Sequence, residues 1–228
     1  MSVKIEGEKI KGIFLERINR FEALVLVDGE AQRVHVPNTG RMKELLHKGV
    51  EVTLVKSNKP DRKTKYSMMF VNKNGHLICI NSPLANRVFE DGIRSGKINW
   101  LKGDIKREVS FRDSRIDFFI DGEYKTFVEV KCGTYEENGT TMFPDAPTER
   151  GRKHIGELIK AVEDGYRAAV VIVAFMDYVK EFTPNYKIDR EFGEKLKEAY
   201  DGGIDVRAYK CSISEDEIYI LEEIKVYF

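Results

Sequence analysis

The chain has 228 residues, 42% of them hydrophobic and 33% charged, with 38 Lys and Arg against 38 Asp and Glu. That is enough apolar material for one large domain or two small ones, and it reads as an ordinary globular protein. The three cysteines, Cys79, Cys132 and Cys211, are far apart in sequence and lack C-x-x-C spacing, which argues against a disulfide framework and a zinc site. The first residues carry no apolar signal core, and no run approaches the ~20 apolar residues of a membrane span. A cytoplasmic protein without a membrane partner is expected. Gln32 is the only glutamine in this highly charged chain, a balance associated with thermophilic proteins.

The net charge of zero hides an asymmetry. Residues 1–82 hold 15 Lys and Arg against 9 Asp and Glu, a balance of +6, and the remainder holds 23 against 29. This suggests an anion-facing amino-terminal part beside a part whose carboxylates could hold cations; complementary packing of two domains is the alternative. Residues 9–18, 21–28 and 31–36 read as three strands joined by Asn19-Arg20 and by the Asp28-Gly29 turn signal. A short helix is predicted over residues 41–47, then strands over 50–56 and 66–72. This element order is that of an OB-fold barrel. Between its last two strands lies KSNKPDRKTK, residues 56–65, with five basic residues and one acidic, placed where such barrels contact ligand. A plain solvated loop is the bland reading.

The pattern changes near residue 82, giving an amino-terminal domain over 1–82 and a second over 83–228. Ser82-Pro83 reads as an N-cap followed by proline at the first helical position, opening a helix that Gly96 ends. Strands are predicted over 105–111, 115–120 and 125–132, a helix from 145–148 to Gly165, a buried strand over 168–175, a helix near 189–200, and strands over 206–211 and 217–228.

Chemistry concentrates in SRIDFFIDGEYKTFVEVK, residues 114–131, read as two strands joined by a tight turn at Asp121-Gly122. Strand side chains alternate, so Glu129 and Lys131 share a face about 7 Å apart with Phe127, while Asp117 shares its face with Phe119. Apolar residues on both faces point to covered strands, with charges set into the covered face. Two carboxylates buried together cost several kcal/mol without a compensating cation. A hard divalent cation, Mg²⁺ or Mn²⁺, fits such ligands, and a neighbouring lysine could position water or offset phosphate charge. A cross-strand ion pair on an exposed sheet is the alternative. The predicted helix after residue 148 carries Arg150, Arg152, Lys153 and His154 in its first turns, where the helix dipole disfavours cations unless an anion binds. Gly151 would let a backbone approach closely. Pairing of Arg150 and Lys153 with Glu149 and Glu157, and a satisfied core role for His154, are the structural alternatives.

A helix, three strands bearing Asp then Glu-x-Lys, a helix and a strand resemble the PD-(D/E)xK nuclease core through Asp117, Glu129 and Lys131. With it come NRF (19–21), HVPNTGRM (35–42), SRIDF (114–118), VEVK (128–131) and FPDAPTERGRKH (143–154). Together these resemble the sugar fermentation stimulation protein A family over nearly the whole chain. The resemblance implies an α+β protein with an OB-fold-like β-barrel followed by a PD-(D/E)xK nuclease-like domain, DNA binding, and a role in regulating sugar utilisation genes. No sugar-binding site is evident in the residues. Related nucleases often add a further acid, for which Glu108 is preferred over Glu90; the eponymous proline is replaced by Ile116. The expected metal ligands are then Asp117, Glu129 and Glu108, and the catalytic set is Asp117, Glu129 and Lys131. The expected DNA contacts are Arg20, Arg41, Arg62, Lys63, Lys65, Arg115, Arg150, Lys153 and His154. A DNA-binding regulator without turnover, and a structural protein whose charges pair with one another, are the rival classes.

Overall fold

Alternation of apolar and polar side chains builds the first sheet. The computed structural model describes residues 1–57 and 62–228. After β1 (Val3–Lys4) come β2 (Lys9–Asn19), β3 (Glu22–Val27), β4 (Glu30–His35), β5 (Glu51–Lys56), β6 (Tyr66–Lys73) and β7 (His76–Cys79). The sheet order is β4-β3-β2-β5-β6-β7, and β4 pairs in parallel with β6 through Val34↔Tyr66 and His35↔Ser67. That pairing closes a five-stranded barrel of the OB type, with Val25, Val34, Leu54 and Met68 fully buried inside. Part of the basic loop predicted at 56–65, residues 58–61, lies outside the described residues.

No helix forms over residues 41–47; turns occupy the segment. The Arg17 guanidinium explains why. Its Nη1 donates to the Gly40 carbonyl at 2.6 Å and the Arg41 carbonyl at 3.0 Å, and its Nη2 donates to the Asn38 carbonyl at 2.7 Å. These acceptors are withdrawn from any helical ladder, and Met42 takes a positive φ of 46° that helices do not accommodate.

The rest of the chain is α1 (Leu84–Arg94), β8 (Asp104–Phe111), β9 (Ser114–Asp121), β10 (Thr126–Gly133), β11 (Tyr135–Glu137), β12 (Thr140–Phe143), α2 (Glu149–Glu163), β13 (Arg167–Ala174), β14 (Glu181–Pro184), α3 (Arg190–Asp201), β15 (Asp205–Ile213) and β16 (Glu217–Val226). The mixed sheet runs β11-β12-β14-β16-β15-β13-β10-β9-β8, and β1 pairs with β16. Strand β13, RAAVVIVA, is buried after its first residue and lies parallel to β10 and β15, as a run covered by helices on both faces must be. Helix α1 packs its Val88 and Phe89 with Val128, Val130 and Val171. Ile155 and Leu158 of α2, with Phe192 and Leu196 of α3, belong to the other core, with Phe127 and Ile172. That second core is continuous with the barrel interior, so the two domains share packed apolar surface.

Two local readings change. Ser82 does not cap α1: Pro83 holds the cap position, and the Ser82 hydroxyl donates to the Pro37 carbonyl at 3.4 Å. The turn between β9 and β10 is wider than two residues, because the register pairs Ile120 with Thr126. Gly122 is required there by packing, since a Cβ would lie 1.9 Å from the Lys102 carbonyl oxygen. Among the described residues no helix is long and apolar enough to cross a membrane.

Candidate functional site

The site grows from the point where β9 and β10 part. Their ladder pairs Ile120, Phe119 and Phe118 with Thr126, Phe127 and Val128, and then stops. Continuing the register would set Asp117 opposite Glu129. Instead of a main-chain partner, the Val130 N–H finds the Asp117 carboxylate, donating to Oδ2 at 2.9 Å. The Asn86 side chain, from the first turn of α1, donates to Oδ1 at 2.9 Å. Asp117 is therefore fixed by two donors, one of which, Asn86, carries no motif signal in the sequence.

Glu129 is only 2% exposed. Its Oε1 accepts from Lys131 Nζ at 2.5 Å and from His154 Nδ1, while Oε2 is buried without a partner. His154 reaches it from α2, and its Nε2 faces Arg150 Nε at 3.4 Å. That arrangement assigns the Nδ1–H tautomer, with Nε2 as the acceptor. Burial pushes the Glu129 carboxyl up, but the Lys131 charge and the His154 hydrogen bond outweigh it and hold the group below its ordinary value. Asp117 goes the other way: burial and the Glu129 charge raise its carboxyl, against the Val130, Asn86 and Lys131 contributions. Two carboxylates pushed apart in this manner titrate as a unit.

A buried carboxylate oxygen left without a donor costs about 1–3 kcal/mol or more. A hard cation would remove that cost. Asp117 and Glu129 supply oxygen ligands, and Mg²⁺ or Mn²⁺ completes such a set with water and substrate phosphate. The donor chemistry therefore fits the cation. Among the described residues, no three or more His, Cys, Asp and Glu side chains form a metal cage. Glu108, expected as a third ligand, lines the same cleft but is engaged by a neighbouring arginine. It has a positive φ of 53° at the position opposite Asp117, and its Oε2 pairs with Arg115 Nε at 2.9 Å. Glu90, the other candidate, is buried under Arg94 and Arg107, which both pair with it.

Above the carboxylates opens a cleft of about 1170 Å³ between the two domains, with Asp117 and Lys131 in its lining. The barrel side contributes Arg20, Arg41 and Lys43, and Arg150 enters from the start of α2. No carboxylate among the described residues pairs with any of these four. Asp145 joins the two walls: its carboxyl, raised by burial, accepts the Met42 N–H, and a Cβ on Gly40 would lie 1.8 Å from its Oδ2. Gly40 is thus fixed by close approach of the nuclease-like domain.

The other expected DNA contacts are placed differently. His154 is buried behind Glu129 and cannot meet a surface ligand. Arg115 is engaged by Glu108, and Lys153 donates to the Asp113 carbonyl at 2.8 Å, rather than pairing with Glu157, which binds Lys160. Arg152 Nη1 donates to both carboxylate oxygens of Asp189, each at 2.8 Å. Of the cations at the start of α2, Arg152 is thus neutralised by a carboxylate and Lys153 is held by a carbonyl, while Arg150 lines the cleft. Gly151 makes room for the cap, not a ligand: its N–H donates to the Thr148 hydroxyl at 3.0 Å, and a Cβ would lie 2.8 Å from the Thr148 side chain. Arg62, Lys63 and Lys65 are exposed on the barrel, outside the main cleft, and Lys65 Nζ lies 5.2 Å from the Tyr66 ring centre. Cys79, Cys132 and Cys211, distant in sequence, are near enough for the Cys79 and Cys211 thiols to reinforce the rise that burial imposes on Cys132; all are free.

This geometry has known relatives. The family model described as the SfsA N-terminal OB domain matches residues 15–80, and the sugar fermentation stimulation protein RE domain matches residues 83–217. A sugar fermentation stimulation protein homolog of Caldanaerobacter subterraneus subsp. tengcongensis is 46% identical over 97% of this chain and 98% of its own. One from Clostridium perfringens is 46% identical over 95% of this chain and 96% of its own. The solved structure of Pyrococcus furiosus SfsA in complex with Ca²⁺ is 33% identical and superposes with a TM-score of 0.91, covering 100% of both chains. With both of its domains matched in order and its relatives aligned nearly end to end, the chain belongs to the sugar fermentation stimulation protein family.

Proposed function

We propose that this chain is a DNA-binding phosphodiesterase of the nuclease type that depends on a divalent cation such as Mg²⁺ or Mn²⁺. The observation that carries the proposal is the unpartnered, buried Oε2 of Glu129 beside the raised carboxyl of Asp117. Asp117 and Lys131, on either side of that oxygen's residue, line the cationic cleft. The Pyrococcus furiosus relative was solved with Ca²⁺, a hard cation of the same ligand preference, which supports a cation here.

When bound, the cation supplies Lewis-acid polarisation of a phosphate oxygen and activation of water. Asp117 and Glu129 would hold it, with His154 fixing the rotation of the Glu129 carboxylate. Lys131, part-buried at the edge of the cleft, offsets the negative charge that develops on the phosphate in the transition state. Arg20, Arg41, Lys43 and Arg150 attract the backbone phosphates and set the register of the strand. A second reading, a DNA-binding regulator that keeps the fold without turnover, is favoured by one contact: Lys131 already neutralises Glu129 at 2.5 Å.

Labelled single-stranded, duplex and branched DNA, incubated with Mg²⁺ or Mn²⁺, separates the two. The parent should cleave at least one form, and Glu129→Gln should lose cleavage by orders of magnitude while keeping DNA affinity. Salt-dependent binding with no metal-dependent cleavage by the parent would establish the regulator instead.

A further inference from the structure

The turn between β2 and β3 exposes an aromatic ring that the fold does not use. Phe21 is 52% exposed, yet its main chain is held firmly. Its N–H donates to the Asn19 side-chain oxygen at 2.8 Å, and its carbonyl accepts the Val36 N–H at 2.7 Å. His35 Nδ1 lies 3.3 Å from the same carbonyl. The ring is therefore presented from a fixed backbone, and it lines a groove of about 750 Å³ with Arg20, His35, Arg62 and Lys63.

The charge of that groove is one-sided. Its carboxylate, Glu22, is taken by Arg33 at 3.2 Å and by the Asn19 amide at 2.9 Å. Among the described residues no carboxylate pairs with Arg20, Arg62 or Lys63. The Arg20 guanidinium lies 6.0 Å from the Phe21 ring centre. His35 sits below its ordinary pKa through burial and the Arg62 charge, so at neutral pH it offers a neutral, flat ring beside Phe21. Asn19 and Arg20 also line the main cleft, making the groove a continuation of it.

We infer that this groove docks an unpaired stretch of DNA, one base stacking on Phe21 and the flanking phosphates meeting Arg20, Arg62 and Lys63, so that the preferred ligand carries a single-stranded segment. Duplex DNA offers phosphates to such cations but keeps its base faces stacked inside the helix, out of reach of a protruding ring. An unpaired base has both faces available. The inference rests on the DNA-binding half of the proposed function and names the DNA form that binds.

The test is fluorescence anisotropy in EDTA with labelled oligo(dT) and a blunt duplex of equal length, so that no cleavage is needed. Phe21→Ala should weaken oligo(dT) binding roughly 5- to 150-fold, the range for one lost base stack, and leave duplex binding unchanged. Phe21→Trp should restore oligo(dT) affinity. Because the ring is exposed, both variants should melt with the parent. Equal losses for the two DNAs, no loss for either, or no DNA binding by the parent would overturn the inference. The outcome is independent of turnover: a parent that binds oligo(dT) through Phe21 but never cuts retains this site and loses the phosphodiesterase, and a parent that cuts but ignores Phe21 does the reverse.

Discussion

Strands β9 and β10 behave differently at their two ends. At one end the ladder is intact, and Phe127 packs against Phe111 and Phe119 at 4.8 Å between ring centres and against Tyr166 at 5.1 Å. One step along the same face, the ladder stops, and Glu129 and Lys131 stand where further apolar packing would fit. The aromatic end lowers the free energy of the fold by burying large rings in favourable tilted contacts. The polar end raises it, with an unpartnered carboxylate oxygen and a carboxyl raised by burial and by its neighbour's charge. The proposed cation site would account for such a defect beside the best-packed segment.

Substitutions at the two ends should separate these roles. The largest effect is expected from Lys131→Met, which removes the cation at the cleft and should lower metal-dependent cleavage by orders of magnitude. Without metal the variant should also melt below the parent, because it leaves the buried Glu129 carboxylate without its lysine partner. Cleavage at the parental rate would remove Lys131 from the catalytic set. Phe127→Ala, at the aromatic end, should instead cost about 3–5 kcal/mol of stability in denaturant titrations, while the folded fraction still cleaves. A milder loss would show that Phe111, Phe119 and Tyr166 collapse into the vacated space.

The smaller effect concerns pH. The folded Asp117 carboxyl holds its proton above its ordinary value of 3.8, through burial first and the Glu129 charge second. The folded chain thus binds that proton more tightly than the unfolded one, so this group costs stability progressively as pH rises from 3.8 through its raised value. Cation binding needs the bare carboxylate. Mn²⁺ affinity should therefore climb about tenfold per pH unit below the raised value and level off above it. An affinity flat across that acidic window would mean that Asp117 is not a ligand.

The legible parts of this protein are those set by periodicity. Two-residue alternation in IDFFI and FVEVK, flanked by apolar side chains, reveals that Asp117, Glu129 and Lys131 are charges within covered strands. The run at β13 and the alternating strands of the barrel are read equally well. What escapes is anything decided by long-range partners. Asn86 lies 31 residues from Asp117, with nothing local to announce their contact. Arg17 draws the carbonyls of Asn38, Gly40 and Arg41 out of a helix that their neighbours favour. Short strands such as β11, β12 and β14 carry too few alternations to register. Basic residues are the hardest: composition shows Arg115, Lys153 and Arg150 as equals, and only the fold shows that the first two are engaged by Glu108 and the Asp113 carbonyl.

The most direct test of the central claim, that the parted end of β9 and β10 is built around a cation, is calorimetric titration of Mn²⁺ into the parent and into Glu129→Gln at neutral pH. A saturable site in the parent that disappears in the variant, with both proteins melting as folded chains, is the predicted result. No binding heat in the parent, or the same heat in both, would contradict the account.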